Sequence, residues 1–243
     1  MHLIKVNAIN STNSFAREMF RENNQMPATC IVAKKQLQGR GQRGTIWNSE
    51  EGKNLTFSVV YPKPALSPGR QFVLSAAVAT TVLEVLEKFE VPRLKVKWPN
   101  DIMSANLKIG GILIENVIAE AKVAASVIGI GLNVNQQSFE GLPGAGSMKS
   151  VCGRDFDLEE VLQQLMLALE KRLDHLSEET SEEILNTYKK HLFRRQVPST
   201  FQLPDKTYFT GIIVDVTPEG MLQVQQEEDL LQEFDLKEIR LCY

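Results

Sequence analysis

The chain has 243 residues, Lys+Arg 27 against Asp+Glu 30 and 43% hydrophobic residues, for a formal net charge of −3. That balance excludes a disordered chain and a generally basic nucleic-acid coat. A chain of this size can bury roughly 70–75% of its unfolded surface, enough for one large core or for a large and a small domain. No apolar run approaches the ~18–20 residues of a membrane span. The first residues lead into structure without a signal-like stretch, so a cytoplasmic protein with no membrane contact is expected. Cys30, Cys152 and Cys242 are far apart and odd in number, which indicates neither a disulfide framework nor a zinc site.

In chain order, Leu3 to Val6 reads as a short strand, and Ser11-Thr12-Asn13 offers capping side chains ahead of Phe15, Met19 and Phe20 on one helical face. Thr29 to Ala33 and Asn54 to Tyr61 are β-branched and apolar and read as strands. Arg70 to Phe89, rich in Ala, Leu and Val, suits a mostly buried helix. Leu94 to Trp98, Lys108 to Val117 and Ala124 to Val134 read as consecutive antiparallel strands, with a turn at Pro99-Asn100-Asp101. Helical leucine spacing follows over Leu158 to Leu176 and Glu182 to Phe193. From about Arg195 the texture changes to short β-runs over Thr200 to Leu203, Tyr208 to Val216, Met221 to Gln225, Leu230 to Phe234 and Ile239 to Leu241. The expected fold class is therefore α+β: a mixed β-sheet with packed helices over residues 1–193, then a small β-barrel over 194–243.

Gly39-Arg40-Gly41-Gln42-Arg43-Gly44 follows a strand and fits the G-x-G-x-x-G pattern, but the residues after it are not helix-prone, so a dinucleotide fingerprint is excluded. From Lys34 to Gly44 there are Lys34, Lys35, Arg40 and Arg43 and no acid, a local charge of +4. A long, mobile, cationic loop of this kind is expected to order over an anionic ligand. Three further stretches point to the same pocket: Lys97-Trp98-Pro99-Asn100-Asp101 at a strand end, Lys108 to Glu115 with paired Gly110-Gly111, and Gly129-x-Gly131-x-Asn133. Glycines inside strands are kept where a ligand approaches the backbone closely.

Taken with Ser11-Thr12-Asn13, this ordered set of motifs resembles the biotin protein ligases of the short type, and the likeness covers essentially the whole chain. The resemblance implies a mixed sheet followed by an SH3-like β-barrel. It also implies a two-step reaction in which biotin and ATP give biotinyl-5′-adenylate, followed by transfer to a lysine of a biotin carboxyl carrier protein of acetyl-CoA carboxylase or a related carboxylase. By the same match, Lys108, Arg40 and Asp101 take the catalytic roles. Biotin falls to Ser11, Thr12, Asn13, Gln36, Gly39, Arg40, Gly41, Lys108 and Gly111, and ATP to Arg40, Arg43, Trp47, Lys97, Asn100, Lys108 and Asn133. Asp101 either binds Mg²⁺ or orients the attacking lysine; for the barrel, a contact through Arg240 and a purely structural role are both open readings.

Many relatives have arginine where Gln42 stands, which implies either a looser hold on the adenylate here or compensation by Arg43. Because the sequence starts at the catalytic domain's first strand, DNA binding through an N-terminal helix-turn-helix is not expected. A monomer and a homodimer are both compatible with the sequence. A lipoate or octanoate ligase and a non-catalytic biotin sensor are the competing readings. Gly39-Arg40-Gly41 and Trp98-Pro99 favour biotin over lipoate, and retention of Arg40, Asp101 and Lys108 argues against a sensor.

Overall fold

The computed structural model describes residues 1–62, 64, 70–120, 122–177, 179–227 and 230–243, with the backbone alone at residue 43. Seven strands form one sheet in the order β1-β2-β3-β7-β6-β5-β4. They are β1 His2–Ile9, β2 Thr29–Gln36, β3 Leu55–Pro62, β4 Leu94–Lys97, β5 Asp101–Ser104, β6 Leu107–Ala119 and β7 Lys122–Leu132. The β1–β2 pair is parallel and every other pair antiparallel, so the sheet is mixed as expected.

Alternation along the central strands divides the core between the two faces. Phe57 and Val59 of β3 and Ile128, Ile130 and Leu132 of β7 pack on one side with helices α2 (Gln71–Lys88), α4 (Leu158–Asp174) and α5 (Ser181–Lys190). Val60, Val127 and Ala125 face the other side, against Ala16 and Phe20 of α1 (Thr12–Glu22). With both faces covered, β3 is apolar almost throughout. The alanines of α2 allow close packing, and that helix is buried nearly all round. α1 is short and shields only part of its face, leaving the rest of the sheet floor open toward the glycine-rich loop.

Three elements depart from the sequence expectations. Asp101 does not merely close a turn but begins β5, which inserts between β4 and β6. A short helix α3 (Met148–Cys152) follows β7, with Ser147 and Ser150 forming a reciprocal cap. The glycine-rich loop contains a 3₁₀ turn at Gln42–Gly44 and a bridge between Arg40 and Ile46.

After α5, a second, antiparallel sheet of five strands runs β11-β10-β9-β8-β12. These are β8 Pro198–Gln202, β9 Tyr208–Val216, β10 Leu222–Gln225, β11 Leu231–Phe234 and β12 Arg240–Cys242. Stacked Phe201, Phe209 and Phe234 fill its interior. The order is consistent with an SH3-like domain, although no pairing closes β11 onto β12 among the described residues. Among the described residues no helix is long and apolar enough to cross a membrane.

Candidate functional site

A cavity of about 690 Å³ opens on the α1 face of the large sheet, within the range that accommodates a small-molecule ligand. Its floor follows from strand register. Gly131, Gly111 and Asp101 are successive cross-strand neighbours that line it, and Gly129 and Leu113 form the adjacent row; Thr56 and Ser58 of β3 continue these rows but are buried outside the lining. Two of the glycines are required by close approach: a Cβ at Gly129 would collide with the Asn13 amide, and one at Gly131 with the Trp47 indole.

One end of the cavity is neutral and hydrogen-bonded. Ser11 caps α1, its hydroxyl accepting from Ser14 N at 3.5 Å. Thr12 donates to Gln36 Oε1 through its backbone N (2.8 Å) and its hydroxyl (3.1 Å). Ser58, fully buried, lies 2.7 Å from Thr12 Oγ1 and 2.6 Å from Asn13 Oδ1. Asn13 Nδ2 then donates to Leu113 O (3.2 Å) and Glu115 Oε2 (3.0 Å). A capping position has thus placed a row of short polar side chains against the sheet.

The opposite end is ionic. Asp101 lies between two lysines, with Lys108 Nζ at 2.7 Å and Lys97 Nζ at 3.8 Å. Lys108 shares a face with Gly111, its Nζ 3.6 Å from the position a Cβ would take there. Positions three apart in a regular strand face opposite sides, and the register shift between Ile102 and Met103 accounts for the difference. Lys97 is held below the usual lysine range, chiefly by burial and secondarily by Lys108 and Arg240, with Asp101 opposing. Its ammonium sits 4.7 Å from the Tyr243 ring centroid, a cation–π contact.

The turn bearing these groups is anchored from elsewhere in the fold. Trp98 Nε1 donates to Gly220 O (2.9 Å), and buried Tyr188 donates to Pro99 O (3.2 Å). Asn100 Nδ2 donates to Ile112 O, and the Ile112 N–H returns a bond to Asn100 O at 3.1 Å.

Trp47 connects the two ends. Its indole lies over Gly131 and Gly111, with Lys108 Nζ 5.6 Å from the ring centroid, and its Nε1 is buried without a partner among the described residues. Asn133 Oδ1 is likewise buried and unpaired, while its Nδ2 donates to Gly146 O at 2.9 Å. Arg40 reaches back to Glu115 (3.2 Å) and Ser14 Oγ (3.3 Å).

The expected residues Ser11, Thr12, Asn13, Gln36, Arg40, Gly41, Trp47, Lys97, Asn100, Asp101, Lys108, Gly111 and Asn133 all line this one cavity. Gly39 is not among the lining residues; it is buried behind the loop, its carbonyl accepting from Trp47 N at 2.9 Å. The expectation for the Arg43 side chain lies outside the described residues. Sequence reasoning missed Ser58, whose polarity within an apolar strand was a usable signal. It also missed the 139–145 segment and Tyr243, which line the cavity without a motif to mark them. Arg240 does line the cavity.

Fold and cavity together define a ligand-binding α+β protein with one neutral and one ionic subsite on a glycine floor. The chain belongs to the Biotin/lipoate A/B protein ligase family, whose model matches residues 6–133. It is 38% identical over 177 residues to the bifunctional ligase/repressor BirA of Bacillus spizizenii, covering 70% of this chain and 53% of that one. The chain therefore spans about half the length of that curated relative. To the biotin–[acetyl-CoA-carboxylase] ligase of Paracoccus denitrificans it is 32% identical over 140 residues, covering 56% of this chain and 58% of the other. The solved biotin protein ligase of Aquifex aeolicus in complex with biotin and ATP superposes with a TM-score of 0.81 at 26% identity, over 99% of this chain and 98% of that one.

Proposed function

We propose that the protein is an ATP-dependent biotin ligase acting on a biotin carboxyl carrier protein, that of acetyl-CoA carboxylase or a related carboxylase. The observation that carries this reading is the division of a single cavity into a neutral hydrogen-bonding end and a Lys97–Asp101–Lys108 end. A ureido ring has donors and acceptors without charge, and matches Ser11, Thr12, Asn13 and Gln36, with buried Ser58 holding Thr12 and Asn13 from behind. The apolar tail of biotin crosses the glycine floor beside Leu113 and Trp47, and its carboxylate arrives at Lys108.

In the first step a biotin carboxylate oxygen forms a bond to the α-phosphorus of ATP as the bond to pyrophosphate breaks. Opposed anions in this approach cost about 4 kcal/mol per close pair at an effective dielectric of about 20. Lys108 offsets that cost where charge develops, Lys97 and Arg40 add positive charge, and Asn100, Asn133 and Trp47 enclose the nucleotide. In the second step the carrier lysine amine attacks the acyl carbon, the bond to AMP breaks and the amine proton is lost. Asp101 orients that amine.

No group of three or more His, Cys, Asp or Glu side chains is placed to hold a cation among the described residues. Asp101, the one acidic side chain lining the cavity among the described residues, fits a Mg²⁺ that arrives on the triphosphate and needs only one or two protein oxygens. When bound, Mg²⁺ neutralises phosphate charge. In this reading residues 1–193 form the catalytic domain, and 194–243 form the SH3-like domain that lends Arg240 and Tyr243 to the ionic end.

ATP–pyrophosphate exchange with biotin, with lipoate and with no acid is the test. Exchange dependent on biotin, followed by labelling of a carrier domain, is the expected result. Exchange driven by lipoate, or biotin binding with no exchange at all, overturns it.

A further inference from the structure

Glu115 lies two residues beyond Leu113 on the cavity face of β6, where a half-buried carboxylate needs partners. It has three, from two separate parts of the chain. Arg17 Nη1 (2.7 Å) and Arg40 Nη2 (3.2 Å) share its Oε1, and Asn13 Nδ2 donates to Oε2 at 3.0 Å. Arg17 and Asn13 belong to α1 and already satisfy the carboxylate. Burial of Glu115 therefore does not account for the Arg40 bond, which instead ties the glycine-rich loop to the α1 wall.

Two guanidinium groups against one carboxylate also leave one positive charge in excess. Arg40 can thus be held down while the loop still presents a cation to an anionic ligand. The loop's own bonds, Gly41 N to Thr45 O (2.8 Å) and Trp47 N to Gly39 O (2.9 Å), shape it internally and do not fasten it to the wall.

We infer that Glu115 is a positioning residue that latches the glycine-rich loop over the cavity through Arg40. Its effect on catalysis, retention of the adenylate and of biotin, rests on the ligase reading; the latch itself does not. The test is amide hydrogen exchange of ligand-free protein across residues 37–47, in wild type, Glu115→Gln, Arg40→Gln and the double variant. Glu115→Gln is expected to speed exchange at Gly41 and Trp47 about tenfold, the factor of one charge-assisted hydrogen bond, and Arg40→Gln, which also loses the bond to Ser14 Oγ, by at least as much. α2 and α4 should keep wild-type protection, and the double variant should be no faster than Arg40→Gln alone.

Unchanged exchange in 37–47, or acceleration spread evenly over α2 and α4, overturns the latch, as do effects that add in the double variant. Should Glu115→Gln fail to fold, Arg40→Gln, altered at a half-exposed side chain, decides by the same loop readout. Wild-type pyrophosphate exchange with biotin is measured alongside. Its absence would count against the ligase reading alone, and unchanged loop exchange against the latch alone.

Discussion

At the α1 end of the cavity the row Ser11, Thr12, Asn13 is uncharged, buried and already bonded to its neighbours, with the Glu115 carboxylate behind it neutralised by Arg17 and Arg40, whereas at the β4–β6 end the groups are ionic and partly open to solvent. Ser58 is fully buried, while the Lys108 side chain keeps 35% exposure. The neutral end is a rigid template, since each group there has its partners fixed before a ligand arrives. The ionic end holds charge that a ligand rearranges, because Asp101 must share Lys108 and Lys97 with an incoming anion. Shape and hydrogen-bond pattern select at one end, and charge development is handled at the other.

The largest expected effect comes from separating the two ends. Lys108→Ala should lower biotin-dependent pyrophosphate exchange by about 10²–10³ while biotin binding by calorimetry survives, as for removal of one group aimed at developing charge. Parallel loss of binding and exchange would show that the ends are not independent. Next, Gly129→Ala pushes a methyl into the Asn13 amide and should cost about 1–3 kcal/mol in denaturant unfolding, with weaker biotin binding. A smaller change, Ser58→Ala, removes the donor to Thr12 Oγ1 and Asn13 Oδ1 and should raise the biotin Kd about tenfold, with the KM for ATP unmoved.

The ionic end should also show in pH profiles. Lys97 has its pKa lowered mainly by burial, so it loses its proton below the ordinary 10.5. Exchange activity is expected to fall on the alkaline side below that pH, and Lys97→Arg should move the fall upward because arginine stays charged. The stability contribution has the opposite sign. Between the lowered folded pKa and 10.5 the unfolded chain binds more protons, so this group's contribution rises with pH, which denaturant titration across the window checks. The smallest effect is expected from Gln42→Arg, which adds a cation to the loop and should reduce labelling of bystander-protein lysines by leaked adenylate. Unchanged labelling would count against it.

Much of this molecule was legible without coordinates. β9 matches the expected run over Tyr208 to Val216, and α2 and α4 match within a few residues, α4 because of its leucine stripe and α2 because of its long run of Ala, Leu and Val. β5 was not legible: its four residues follow a Pro-Asn-Asp stretch that carries the composition of a turn. α3 escaped for a similar reason, being a five-residue helix held by a serine cap rather than by an apolar stripe.

The sequence alone determined which chemical groups are present: the short polar residues at the start of α1, the cationic loop, the two pocket lysines and the glycines between them. Those are matters of composition and local spacing. Tertiary structure decided how they meet. Strand register aligned Gly131, Gly111 and Asp101 into one floor, and a bulge turned Lys108 onto the same face as Gly111. Packing across long sequence separations brought Ser58, Glu115 and Tyr243 to the site. Register, bulges and contacts between distant segments depend on what lies across the sheet, which no local stretch of the chain specifies.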